Sequence, residues 1–175
     1  MAVETRRPPA LAMFINQFVA AVFCFLLTIF AFKWIYDSPW LYVAFILFHL
    51  SGIYSYAYAQ AKIDHRDHSA FLWKNALFIG LWAVFWIGVI LIPHWILLMT
   101  VPNAAGVAAP FARFWNYPYS YFLYGLENNG VFYPFAALIS LLLPVVTSYL
   151  AYFLSAKGFS LSEKIYNLVH TVSRR

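Results

Sequence analysis

The chain reads as an all-α integral membrane protein: four transmembrane helices, an outer aromatic interfacial segment and a C-terminal cytoplasmic amphipathic helix. Three observations predict this. Of 175 residues, 64% are apolar or aromatic and only 10% carry a formal charge, against about 45–50% and roughly 25% in a soluble domain. The charges are absent from four stretches, 8–32, 38–61, 75–112 and 128–156, each long enough to cross a hydrocarbon layer of about 30 Å at about 1.5 Å per helical residue. Finally, with spans at about 10–34, 39–61, 71–99 and 131–156, the basic residues fall unevenly. Arg6, Arg7, Lys62, Arg66, Lys74, Lys157, Lys164, Arg174 and Arg175 lie on one side, and Lys33 and Arg113 on the other. The basic side is expected to be cytoplasmic. This places both termini inside and the protein in the plasma (inner) membrane, with residues 1–9 and 157–175 in the cytoplasm.

The formal net charge of +5 does not indicate nucleic acid. A basic footprint needs Lys and Arg clustered on a water-facing surface, and here they are scattered between spans. The lipid bilayer is the expected environment.

The first span follows Arg6 and Arg7 like the core of a secretory signal, but its apolar run is too long for a cleaved one, so it is read as retained. Asn16 and Gln17 fall near its cytoplasmic end, where water or headgroups can satisfy them. Lys33, Trp34 and Tyr36 are expected to anchor its outer end. Cys24 is expected to pack as a small apolar residue. The tight connection to Pro39 predicts that spans one and two form an antiparallel hairpin.

The second span is the most polar. Ser51, Ser55 and Ala59 recur every four residues, with Gly52 beside them, and such a small-residue ridge permits close helix approach. His49, Gly52 and Tyr56 follow a neighbouring face. Prolines mark the third and fourth spans: Pro93 and Pro144 each remove one helical hydrogen bond, predicting kinks and freeing the carbonyls of Val89 and Ser140. Ser140, Thr147 and Ser148 are candidates to answer them.

Between these spans lies the segment 101–130, where Phe111, Phe114, Trp115, Tyr117, Tyr119, Tyr121, Phe122 and Tyr124 crowd together. So many rings are not exposed to water. The expectation is a short helix or irregular segment in the outer headgroup layer that caps the bundle. An alternative is a docking surface for a partner, formed by Phe111, Phe114, Trp115, Tyr117 and Tyr121. After the fourth span, Gly158 suits a helix C-cap, and Ser160 to Glu163 form a capping box. Leu161, Ile165, Leu168, Val169 and Val172 then trace one apolar face of a helix expected to lie on the inner membrane surface, with Lys164, Arg174 and Arg175 towards anionic headgroups.

The residues bear on four kinds of chemistry. Asp64, His65, Asp67 and His68 offer metal-type donors in the connection after span two, but contiguous residues converge poorly on one ion and Arg66 opposes it. A solvated loop with Asp67 or Ser69 as the cap of span three is expected instead, and no metal. His49 and His94, with Tyr56, form a candidate intramembrane polar site, since ionisable groups in lipid are functional suspects. Their similar depth admits a haem or quinone between two helices, although His49 is expected to find a serine or tyrosine partner, and no cofactor is expected. Coupled transport normally uses Asp, Glu, Lys or Arg at mid-membrane, and the spans hold none there. Catalysis lacks a nucleophile elbow, a zinc helix and a phosphate loop, so an enzyme is not expected. The function expected is a non-catalytic accessory or assembly subunit that contacts a membrane-protein partner or another copy of itself. A small transporter or channel component, or a haem- or quinone-binding subunit using His49 and His94, are the alternatives.

Overall fold

A computed structural model describes residues 8–30, 39–67, 73–120, 122–123 and 133–159. These form five helices: α1 (Pro9–Phe30), α2 (Pro39–Asp67), α3 (Trp73–Thr100), α4 (Pro102–Trp115) and α5 (Tyr133–Ala156), with a short 3₁₀ turn at Tyr117–Tyr119. Four of them, α1, α2, α3 and α5, are long and apolar enough to cross a membrane, so the chain is a multi-pass helical membrane protein. No strand occurs among the described residues.

The burial pattern follows from lipid as solvent. Hydrocarbon gives no hydrophobic drive for helix association, so interfaces favour small residues that let backbones approach. Ala20, Ala21, Cys24, Ala57, Ala61, Ala76, Ala83 and Ala151 are buried, whereas Phe18, Phe23, Leu47, Phe78, Phe85, Ile139 and Phe153 face outwards. α5 packs on both α2 and α3, and α1 on α3 and α2. Gly80 sets the α3–α5 approach: a Cβ there would meet the Val145 Cα and the Ser148 Oγ, each at 2.8 Å. Ser148 also donates to the Ala76 carbonyl across this interface.

α2 continues to Asp67, beyond the expected end near residue 61. Asp64 and His65 are therefore helical rather than part of a loop, because the carboxylate is received by the protein instead of by water. α3 and α5 run through Pro93 and Pro144 as continuous helices. The hydroxyls expected to answer the freed carbonyls are used elsewhere: Ser140 donates to Ala137 and Thr147 to Leu143. At the end of α5, Gly158 adopts φ +65°, with Phe159 N–H bonded to the Leu154 carbonyl and Gly158 N–H to that of Ser155. This is the Schellman closure that glycine permits. The expected C-terminal amphipathic helix lies outside the described residues.

The aromatic segment departs most from expectation. α4 does not lie across the outer end of the bundle. It turns at Val101 and packs back along α3, and its 14 residues cover about 21 Å at the helical rise. The Trp115 indole donates to the carbonyl of Trp86, the midpoint of α3, so α4 is a re-entrant helix ending in the middle of the bundle. Backbone can end at that depth only where protein receives its polar groups.

Candidate functional site

Where α4 ends, a polar layer separates two apolar clusters. Towards the Lys- and Arg-bearing end of the bundle lies one built on Met13, Ile53, Ala57, Ala76, Ile79 and Tyr152. Towards the opposite end lies one built on Ile87, Leu91, Tyr119, Leu123 and Ala137. Between them, α1, α2, α3 and α4 each contribute a polar group to a set of bonds. Gln17 Nε2 donates to the Trp115 carbonyl at 2.7 Å, Trp115 donates to Trp86, and Trp86 Nε1 donates to the Ala10 carbonyl at 2.9 Å. Phe14 packs against both indoles, its ring centroid 4.9 Å from that of Trp86 and 5.8 Å from that of Trp115. Asn16 Nδ2 donates to the His49 carbonyl at 3.2 Å. Gly52 makes room for this side chain, since a Cβ at that position would lie 1.8 Å from the Asn16 Oδ1.

His49 and Tyr119 complete the layer. The imidazole Nδ1 and the phenol oxygen are 2.8 Å apart, and both side chains are buried, at 1% and 2% exposure. The partner is a tyrosine, of the kind expected, but it comes from the re-entrant segment rather than from a span. His94 is buried on α3 two turns beyond Ile87 towards the far end. A ligand to His49 through Nδ1 would displace Tyr119. Tyr56 is partly buried and borders a crevice with Asn16.

A second polar centre lies at the Lys- and Arg-bearing end. Asp64, 5% exposed, receives Gln60 Nε2 on Oδ1 at 2.9 Å, and Asn75 Nδ2 and the Tyr152 hydroxyl on Oδ2, each at 2.8 Å. Three neutral donors from α2, α3 and α5 thus converge on one carboxylate, where hydrogen bonds to an ionised acceptor are strong. Of the other donors weighed as metal ligands, His65 is partly buried on the same helix, Asp67 ends α2, and His68 lies outside the described residues. No three His, Cys, Asp or Glu side chains form a metal-type group among the described residues.

The small-residue ridge divides. Gly52 faces α1, whereas Ser51, Ser55 and Ala59 are exposed on the outward side of α2, with Ser51 Oγ donating to the Phe48 carbonyl at 2.7 Å. The aromatic segment divides as well. Phe111 is 74% exposed, while Phe114, Trp115 and Tyr117 are partly buried against the bundle. Phe114 and Tyr117 both pack on Phe25, and Tyr121 lies outside the described residues. An apolar groove of about 300 Å³ runs between α2 and α5 beside Tyr119, Leu123 and Ser140.

Asn16 and Gln17 are thus corrected: they serve the interior of the bundle, not water or headgroups, because α4 carries a backbone carbonyl to their depth. Asn116, Trp86 and Tyr152 escaped the sequence reading altogether. The signal for Asn116 was present as Asn-Tyr-Pro, a turn sequence inside an aromatic run. No family model, characterised protein or solved structure matches this chain.

Proposed function

We propose that this protein is a non-catalytic accessory or assembly subunit of a plasma-membrane complex, with both termini in the cytoplasm, acting through helix contacts. Its polar side chains support this reading: in both polar centres they bind one another or the backbone and hold the bundle together. The observation that carries it is the outward direction of Ser51, Ser55 and Ala59 on α2. Bulky residues cover most of the lipid-facing surface, and small ones in register allow another helix to approach closely. The exposed Val107 and Phe111 of α4 offer a second apolar contact.

Cysteine cross-linking in native membranes tests the reading. Substitutions at Ser51, Ser55 and Ala59 should give a discrete adduct, with a partner or with a second copy, and substitution at the exposed Leu142 of α5 should give none. Equal yields at all four positions would overturn it.

One observation favours a second reading, a small transporter or channel component. Helices that end inside the membrane occur where a solute or ion is held, and α4 ends in that way. Uptake or current in proteoliposomes that His49→Ala abolishes would support this reading over the first.

A further inference from the structure

Gln17 and Asn116 are each 1% exposed, and each is locked in one orientation. The Gln17 amide nitrogen donates to the Trp115 carbonyl and the Asn116 amide nitrogen to the Ala112 carbonyl. Turning either amide over would set oxygen against oxygen. The two amide oxygens, Gln17 Oε1 and Asn116 Oδ1, have no hydrogen-bond partner among the described residues. The two amides are neighbours at the end of α4, since the Trp115 carbonyl that Gln17 holds is bonded to the Asn116 nitrogen.

The chemistry of this place selects its ligand. α4 ends at Trp115, and the carbonyl end of a helix carries partial negative charge. Two neutral oxygens beside it repel an anion and call for a cation. Among the described residues, α1, α5 and the middle of α2 and α3 contain no Lys or Arg. Arg113 is exposed, and its Cβ tilts towards the N-terminus of α4, away from the helix end. A divalent ion favours carboxylates, and the layer contains none. Transition metals favour imidazole or thiolate, and His49 is bonded to Tyr119. A small monovalent ion bound by neutral oxygens fits the set.

We propose that Gln17 Oε1 and Asn116 Oδ1, together with the carbonyls at the end of α4, form a mid-membrane site for a small monovalent cation of the size of sodium. The site goes beyond the subunit reading and does not depend on it.

The test uses the full chain, purified in detergent. Sodium chloride is titrated against N-methyl-D-glucamine chloride at constant ionic strength, while thermal unfolding and equilibrium binding of radioactive sodium are followed. Saturable binding is expected, with Tm rising by roughly 5–10 °C at a hundredfold excess over Kd. Both effects should be lost in Gln17→Leu and in Asn116→Leu. Asn116→Asp keeps an oxygen and adds charge, and should bind sodium several-fold more tightly. If the leucine variants do not fold, wild-type binding and the Asn116→Asp shift decide the matter. Wild-type protein indifferent to sodium holds only water at these oxygens, which overturns the proposal. So does sodium binding that persists unchanged in both leucine variants.

Discussion

Gln17 on α1 donates a 2.7 Å hydrogen bond to the backbone carbonyl of Trp115, 98 residues later in the sequence. This bond fixes the depth at which the re-entrant helix stops. It also gives a polar span residue, which lipid would penalise, a protein partner. The bonds from Trp115 to Trp86 and between His49 and Tyr119 are also made at this level.

Gln17→Leu should lower stability by about 1–3 kcal/mol, the cost of leaving a buried carbonyl without its donor. Phe18→Leu, on the exposed neighbouring face, should change it by less than about 0.5 kcal/mol. Unfolding in mixed micelles measures both. Equal effects would place Gln17 against lipid or water.

The bond between His49 and Tyr119 predicts thermodynamic coupling. A double-mutant cycle of His49→Phe and Tyr119→Phe should give an interaction energy of about 0.6–1.7 kcal/mol, between the average and the largest value for hydrogen bonds within a membrane bundle. Additive single effects would show that the two rings act separately.

Two glycines should respond with opposite sign. Gly80→Ala drives a methyl into the α5 backbone at Val145 and should cost about 1–3 kcal/mol. Gly106→Ala, in α4 with nothing within 4 Å of the added carbon, should stabilise by about 0.5–1 kcal/mol through helix propensity. Loss of stability at both positions would mean that the outward face of α4 is covered.

Asp64 holds three donors, so its removal should exceed the loss of any one of them. Tyr152→Phe should cost about 1.5–3 kcal/mol, the contribution of a hydrogen bond to a charged group. Asp64→Leu, which strands all three donors, should cost more. Equal losses would reduce the centre to the Tyr152 bond alone.

Four crossing helices and a re-entrant one that returns to its own side place the start of α1 and the end of α5 at the same end of the bundle. Reporter tags fused at the N-terminus and after Phe159 should therefore be active in the same compartment. Opposite compartments would require a fifth crossing, with α4 passing through the bilayer.

The number of spans, their order and the C-cap at Gly158 could be read in the sequence because each is local. Hydropathy over some twenty residues reports the solvent of a segment, and a glycine at a helix end reports a backbone conformation. Asn16 and Gln17 were misplaced for the same reason, since their distance from the end of a span suggested an interface and nothing local announced a carbonyl arriving from residue 115. The ridge on α2 showed small residues in register, but periodicity does not say which side of a helix meets protein. Gly52 faces inwards and Ser51, Ser55 and Ala59 outwards because Asn16 occupies the space that a side chain at position 52 would fill.

The sequence by itself determined that oil is the solvent for most of this polypeptide and that four of its segments cross it. Low charge and long apolar runs leave no soluble alternative, and backbone polar groups in hydrocarbon permit only helices here. Tertiary structure alone decided what happens at mid-depth: that an aromatic segment folds inwards, that Gln17 holds the Trp115 carbonyl at its tip, and that His49 bonds Tyr119. Composition fixes the preferred medium of a segment. The partner of each polar group depends on where distant parts of the chain arrive, and only packing sets that.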